Sequence, residues 1–177
     1  EKADAVGGTW RENTYPGVAC DVPSHVYSFS FELNPDWSHA FSPGEEIRRY
    51  CEHCVQKYGL GPHLRFGREV TAVHFDGERW QLRCADGTAL SADLVVSGLG
   101  GLHVPSHPQL EGLEDFAGVR FHTAEWRHDH ALAGRRVAVV GTGASAAQVL
   151  PAIAPEVAEV TVFQRHAAWV FPRMARD

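Results

Sequence analysis

The sequence has 177 residues, 44% of them hydrophobic and 21% charged, which is the ordinary balance of a globular protein. The formal net charge of -6 and the pI near 6.0 argue against nucleic acid or an anionic membrane as a partner. No apolar run is long enough to span a bilayer, and the start of the chain is neither basic nor apolar, as a signal peptide would be. We therefore expect a cytoplasmic protein without a membrane partner.

The segment 1–30 carries turn signals and aromatic side chains but few strand signals. The pair Gly7-Gly8 indicates backbone with unusual dihedral angles or a close approach to a ligand, and Tyr15-Pro16-Gly17 indicates a turn. Long loops rich in Trp, Tyr and Phe that lack a core of their own usually line a ligand site. We expect this segment to form part of one.

A helix start follows, with Ser42 as the expected N-cap, Pro43 as the first helical residue and acidic residues in the next turn. We expect the helix to run to Lys57 or Tyr58 and to end at Gly59.

Two of the four cysteines, Cys51 and Cys54, lie on one face of this predicted helix. The pair is compatible with a redox motif or half of a zinc site, but no second Cys or His pair stands at a suitable spacing. Buried or half-buried structural thiols are the favoured interpretation.

The middle of the chain predicts a small antiparallel β-meander. Its hairpin signals are Asp76-Gly77 and Asp86-Gly87. The predicted strands cover residues 64–66, 70–75, 80–83 and 90–96. We expect the last of them to end in a buried run, Leu94 to Val96. The prolines of Val104–Pro108 then restrict the residues before them and indicate an extended linker, where we place a domain boundary.

The segment 136–165 has the pattern of a dinucleotide-binding βαβ unit. Val137–Val140 is a β-branched run, typical of a parallel strand buried on both faces, and a second strand is predicted at Val160–Phe163. Between them, Gly141-Thr142-Gly143-Ala144-Ser145-Ala146 matches G-x-G-x-x-A before an Ala-rich helix. The first glycine permits a tight turn, the second lets a pyrophosphate approach the helix N-terminus, and the alanine permits close packing.

The residue after the second strand indicates the type of dinucleotide. NAD sites usually carry an Asp or Glu there, whereas this chain has Gln164-Arg165. A guanidinium can hold a 2′-phosphate bidentately, so Arg165 favours NADPH. An ordinary solvated charge remains the alternative at this position.

Ahead of this unit, Phe116, Gly118, His122 and Trp126 form the pattern F-x-G-x-x-x-H-x-x-x-W. Followed by the Gly loop, the pattern resembles the fingerprint of flavin-dependent class B monooxygenases, most closely the Baeyer–Villiger monooxygenases. Arg127 departs from the Pro or Asp that usually completes this fingerprint, which weakens any substrate assignment. The resemblance extends over essentially the whole chain.

The resemblance implies FAD and NADPH as cofactors, with roles for particular residues. Asp21 would lie beside the flavin ring and help to position a catalytic Arg, and His122 would couple the linker to the cofactor position. Both also have ordinary interpretations, as a turn-capping carboxylate and a hydrogen-bonded structural imidazole. The implied cofactor-binding residues are Glu1, Thr9, Trp10, Tyr15, Asp21, Tyr27, Val70, Gly141, Thr142, Gly143, Ala144, Ser145, Gln148 and Arg165. Trp169 and Pro172 resemble residues near the family's 2′-phosphate site.

The implied fold is α/β, with two Rossmann-like three-layer dinucleotide-binding domains that are both incomplete. We expect a partial FAD-binding domain with the β-meander at 1–104, a linker carrying the fingerprint at 105–135, and a partial NADP-binding domain at 136–177. The family's first Gly loop would precede Glu1, and its catalytic Arg would follow Asp177. The sequence therefore resembles the centre of a monooxygenase, with exposed strand edges.

The implied activity inserts one oxygen atom of O2 into a ketone, or adds it to a heteroatom, through a flavin C4a-peroxide formed after NADPH reduces the flavin. Two alternatives stay open: a non-catalytic NADP-binding fragment or remnant, and an NADPH-dependent flavoprotein reductase. Cys51 and Cys54 stand in the wrong context for the reductase. The sequence leaves the substrate, the regiochemistry and the oligomeric state open.

Overall fold

A computed structural model describes residues 1–170 of the chain. Within them lie a three-stranded antiparallel sheet, a two-stranded parallel sheet and three α-helices, so the predicted α/β class is confirmed. Pro172 lies outside the described residues. Among residues 1–170, every helix is too short or too polar to cross a bilayer.

The N-terminal segment is mostly loop, as predicted, and contains one short helix, α1, at Thr9–Glu12. Gly7 and Gly8 precede this helix with φ of 116° and 49°. These dihedral angles are poorly accessible to residues with a Cβ, which explains the glycine pair. The segment also contains a single helical turn at Ser24–Val26.

Helix α2 spans Gly44–Lys57, and the predicted end near Tyr58 is confirmed. The predicted N-cap is wrong, because Pro43 occupies that position and no side chain caps the helix. The Ser42 hydroxyl lies instead in the interior, 2.7 Å from the Ser24 hydroxyl, and the two satisfy each other's hydrogen bonding.

The β-meander consists of β1 at Val70–Phe75, β2 at Trp80–Cys84 and β3 at Ala89–Ala92, paired antiparallel in the order β1-β2-β3. The strand predicted at 64–66 is wrong: a helical turn at Gly61–His63 is followed by extended chain. The extension of the last strand to residue 96 is also wrong. Leu94 and Val96 are 83% and 92% exposed, because no strand among residues 1–170 pairs with that stretch.

The βαβ unit is confirmed: β4 spans Arg136–Val140, α3 spans Ala144–Ile153 and β5 spans Glu159–Phe163. The strands are parallel, with Val137 opposite Val160 and Val140 opposite Phe163. The expectation that β4 is buried on both faces is wrong, since Val140 is 57% exposed. One face packs on α3, and within residues 1–170 no second helix layer covers the other.

Most of the buried hydrophobic side chains among residues 1–170 form two clusters. The first surrounds α2 and joins Ile47, Tyr50 and Cys54 to Trp37 and Cys20. The second surrounds α3. It consists of Tyr15, Val149 and Ile153, with partly buried neighbours Val18, Trp126, Leu132, Val137, Val157 and Val160. Tyr15 and Val18 come from the N-terminal loop, so the βαβ unit draws part of its core from the first segment of the chain.

Candidate functional site

The Gly loop lies at the carboxyl end of the parallel strands. Gly141 has a φ of 110°, a value that favours glycine, and its N–H donates to the carbonyl of Phe163 at 2.8 Å. Gly143 is the N-cap of α3. A Cβ built on Gly143 would meet no atom of residues 1–170 within 4 Å, so within this part of the chain the space above the loop is open to a ligand.

The N-terminus of α3 offers backbone N–H donors that have no acceptor among residues 1–170. The first N–H groups of a helix have no intrahelical acceptor, and no side chain caps this one. Ala144 is exposed and Ser145 half-buried, so neither blocks access to the loop. The helix dipole and these donors favour an anion, and the open cradle above Gly143 fits a dinucleotide pyrophosphate.

Arg165 lies at the same edge of the sheet, two residues beyond Phe163, which pairs with Val140 at the start of the loop. The side chain is exposed, and within residues 1–170 it has no hydrogen-bonding or ion-pair partner. A cation held beside an anion-binding helix terminus, with its donors unused, fits a 2′-phosphate.

The predicted flavin residues form separate local contacts. The indole Nε1 of Trp10 donates to the hydroxyl of Tyr27 at 3.2 Å, and their rings meet edge to face. The Thr9 hydroxyl, one residue earlier, accepts from the side-chain amide of Asn13 at 3.0 Å. Asp21 is exposed and makes no hydrogen bond or ion pair within residues 1–170.

Glu1 and Val70 are brought to the same region by backbone pairing. The carbonyl of Glu1 accepts from Arg68 N–H at 2.8 Å, two residues before Val70 opens β1. The Glu1 carboxylate accepts from Ala3 N–H at 2.9 Å, which orders the first turn of the chain. Both residues are exposed.

Tyr15 and Gln148 contact each other. The Tyr15 hydroxyl donates to Gln148 Oε1 at 2.9 Å, and the ring is buried at 7% exposure. The amide of Gln148 also binds the Ala19 backbone at both its N–H and its carbonyl. The structure therefore joins two residues predicted to bind cofactor, one from each end of the chain.

The fingerprint residues lie between the two sheets in sequence and pack locally. His122 Nδ1 accepts from Ala124 N–H at 3.1 Å and so caps a helical turn at Thr123–Glu125. This bond requires the neutral ring with its other nitrogen protonated. Trp126 packs against the core around α3.

Arg127, the departure from the fingerprint, binds Asp129 through two hydrogen bonds of 2.8 and 2.6 Å. The guanidinium lowers the pKa of Asp129 to about 2, so the pair is ionised at neutral pH. The neighbouring His128 contacts the Thr14 hydroxyl at 2.7 Å. The fingerprint segment is thereby joined to the N-terminal loop.

Sequence reasoning missed a polar cluster in which side chains from the C-terminal half of α2 and its C-cap surround the carboxylate of Glu32. Glu32 is buried, with its side chain 10% exposed, and accepts from Lys57 and from the Tyr58 hydroxyl, both at 2.8 Å. These bonds, with a contact to His53, lower the pKa of Glu32 to about 2. No motif marks the cluster, because its members stand more than twenty residues apart in sequence from Glu32.

A metal or redox site at the cysteines receives no support. Among residues 1–170, no group of three His, Cys, Asp or Glu side chains is placed to hold a metal ion. Cys54 is buried in the core around α2, and burial raises the pKa of Cys51. Raised pKa values disfavour the thiolate that redox chemistry needs. The interpretation as structural thiols fits these environments.

A parallel βαβ unit whose helix N-terminus faces open space, at the same sheet edge as an Arg without a partner among residues 1–170, has the geometry of a dinucleotide-binding protein. Comparison with known proteins identifies the family. The profile of the pyridine nucleotide-disulphide oxidoreductase family matches residues 25–174, and the chain belongs to that family.

Individual relatives are monooxygenases. A Baeyer-Villiger monooxygenase of Streptomyces coelicolor is 54% identical over 178 residues, which cover 99% of this chain and 34% of the relative. A cyclohexanone monooxygenase structure with bound epsilon-caprolactone matches with a TM-score of 0.89 and 39% identity, over 97% of this chain and 35% of that one. The NADP+ complex of the enzyme from Rhodococcus sp. Phi1 matches with a TM-score of 0.87 and 40% identity, over 97% and 34%.

This chain is thus homologous over nearly its whole length to Baeyer-Villiger monooxygenases, as the fingerprint indicated. It spans about a third of the length of the relatives that it matches.

Proposed function

We propose that this chain forms the NADPH-binding unit and part of the flavin site of an FAD- and NADPH-dependent monooxygenase. The observation that carries the proposal is the Gly141–Ser145 loop at one sheet edge, directly after the fingerprint, with Arg165 at the same edge and without a partner among residues 1–170. When bound and reduced, the flavin would be the group that reacts with O2. The chain would bind the flavin and orient it. The proposed substrate is a ketone or a compound with a soft heteroatom.

For NADPH, we assign roles to the Gly141–Ser145 loop and to the exposed Arg165. The backbone N–H groups at 142–145 bind the pyrophosphate, and the guanidinium of Arg165 binds the 2′-phosphate. The guanidinium of Arg165 is exposed and has no partner among residues 1–170, so its donors are available to the ligand. This arrangement selects NADPH over NADH.

For FAD, the proposed contacts come from the N-terminal half. The side chains with exposed or half-exposed groups available to a flavin are Glu1, Thr9, Trp10, Asp21, Tyr27 and Val70. We assign Asp21 a place beside the flavin ring, since its carboxylate has no internal partner among residues 1–170. His122 acts as a positioning residue through the turn that it caps. The division into 1–104, 105–135 and 136–177 is retained as a proposal.

A disulfide-reductase function is disfavoured by the cysteines. Such an enzyme needs an accessible thiolate, whereas Cys54 is buried and burial raises the pKa of Cys51. All four cysteines are thiols, which fits a reducing compartment and supports our proposal of a cytoplasmic location.

The test is the visible absorption spectrum of the purified chain after addition of FAD and removal of the excess. We expect a retained flavin band that NADPH bleaches quickly and NADH slowly. Arg165→Ala should reduce the preference for NADPH at least about tenfold, since one charge-assisted bidentate contact is worth more than about 1.4 kcal/mol. The exposed Arg49 provides a matched control variant, Arg49→Ala.

Two outcomes would count against the proposal. Loss of the flavin on desalting would support the alternative that the chain is a non-catalytic NADP-binding fragment. An unchanged cofactor preference in Arg165→Ala would remove Arg165 from the NADPH site.

A further inference from the structure

The side chain of Gln148 makes three hydrogen bonds to the N-terminal loop. Its Oε1 accepts from the Tyr15 hydroxyl at 2.9 Å and from Ala19 N–H at 3.3 Å, and its Nε2 donates to the Ala19 carbonyl at 2.8 Å. A side-chain amide offers a donor and an acceptor on neighbouring atoms, and both are used here. With both ends so engaged, the amide of Gln148 is held by the N-terminal loop.

The backbone of α3 is also in close contact with this loop. A Cβ on Gly17 would lie 2.4 Å from the carbonyl oxygen of Gln148 and 3.1 Å from Ala152 Cβ. The φ of Gly17 is 81°, so the turn is of a kind that glycine adopts readily. The loop and the helix therefore approach each other without a side chain between them.

The other edge of the same loop is fixed to α2. Gly44 N–H donates to the carbonyl of Val18 at 3.0 Å, and Cys20 N–H donates to the carbonyl of Ser42 at 2.9 Å. Ala19 forms an isolated β-bridge with Pro43 between these bonds. The segment 15–20 thus joins the start of α2 on one side to α3 on the other.

Gln148 stands three residues after Ser145 and therefore lies about one turn along α3 from the nucleotide loop. The segment 15–20 and the Gly loop are therefore attached to the same short helix. The segment ends one residue before Asp21, which we place beside the flavin.

We propose that Gln148 is a positioning residue that locks the segment 15–20 to α3. Through this lock, a ligand bound at the Gly141–Ser145 loop would make the segment 15–20 more ordered. Its relevance to hydride transfer rests on the proposed function, whereas the lock itself rests on the contacts above.

The test is amide hydrogen exchange of the full 177-residue chain, with and without NADP+, in the wild type and in Gln148→Leu. We expect the variant to exchange at least about tenfold faster at Ala19 and Cys20, with Leu82 in β2 unchanged as an internal reference. In the wild type, NADP+ should slow exchange at Ala19, and this slowing should be absent in the variant. Titration of NADP+ into the wild type and into Gln148→Leu accompanies the exchange measurements, so that a direct contact of Gln148 with the cofactor can be told apart from the lock.

Two further variants keep the experiment decisive. Tyr15→Phe removes one hydrogen bond and keeps the ring in the core, and should raise exchange at Ala19 by a smaller factor. Gln56→Leu, at an exposed position of α2, should change nothing.

Unchanged protection of Ala19 in Gln148→Leu, or NADP+-induced slowing that persists in it, would overturn the proposal. So would a loss of NADP+ affinity above about tenfold with protection unchanged, because that result makes Gln148 a cofactor ligand. A wild type that does not bind NADP+ would contradict the proposed function, and exchange at Ala19 without ligand would still decide whether the lock exists.

Discussion

The phenyl ring of Phe116 occupies the space that a side chain at Gly118 would need. A Cβ on Gly118 would lie 2.5 Å from Cζ and 2.6 Å from Cε1 of that ring. The two residues of the fingerprint's F-x-G therefore form one packing unit. The ring is 57% exposed, so its far side is open for movement.

We expect Gly118→Ala to be tolerated, at a cost of about 1 kcal/mol or less, because the exposed ring can move aside. Gly17→Ala should cost at least about 2 kcal/mol, because the obstacle there is the backbone of α3 and the φ is positive. Denaturant unfolding of both variants checks this order, and equal costs would contradict it.

Gly143→Ala should separate ligand binding from folding. The φ of -71° suits any residue, and a Cβ would meet no protein atom within 4 Å. Stability should stay within about 1 kcal/mol of wild type. Alanine is a poorer N-cap than glycine, which destabilises the helix, but it also lowers the conformational entropy of the unfolded chain, which stabilises the fold. The Cβ would occupy the proposed path of the pyrophosphate, so the Kd for NADPH should rise at least about tenfold. Calorimetric titration and thermal unfolding measure the two effects, and unchanged affinity would place the pyrophosphate elsewhere.

Glu32→Gln should remove a pH-dependent part of the stability. The folded-state pKa of Glu32, about 2, is below the usual 4.5, so its contribution is fully present above about pH 5 and is lost as the pH falls towards 2. The variant should therefore unfold at lower denaturant concentration than wild type at pH 7, and the difference should shrink towards pH 2. The exposed Glu111→Gln is the control. A difference independent of pH would refute the role of ionised Glu32.

Cys51 should react slowly with thiol reagents. Burial raises its pKa and reduces the thiolate fraction at pH 7. We expect an alkylation rate at least about threefold below that of a free small thiol, assigned to Cys51 by comparison with Cys51→Ser. Fast alkylation of Cys51, or a Cys51–Cys54 disulfide that NADPH reduces, would instead support the reductase alternative.

Sequence patterns predicted the structure correctly where it depends on residues that are neighbours in the chain. The Asp-Gly hairpin turns, the end of α2 and the βαβ order of 136–163 all match the structure, because turn geometry and helix termination depend on neighbouring residues. Ser42 shows the limit. Its sequence context is that of an N-cap, yet a hydroxyl at Ser24, eighteen residues away, binds it in the interior.

The sequence by itself predicted the Gly loop, the cation after the second strand and the fingerprint, because these depend on residue type at fixed short spacing. Only the tertiary structure decided how the two ends of the chain meet. Tyr15 and Gln148 are separated by 133 positions, and no local pattern predicts that the hydroxyl of one binds the amide of the other. Such contacts arise when distant segments share one core, and here the loop of the first segment fills the hydrophobic face of α3.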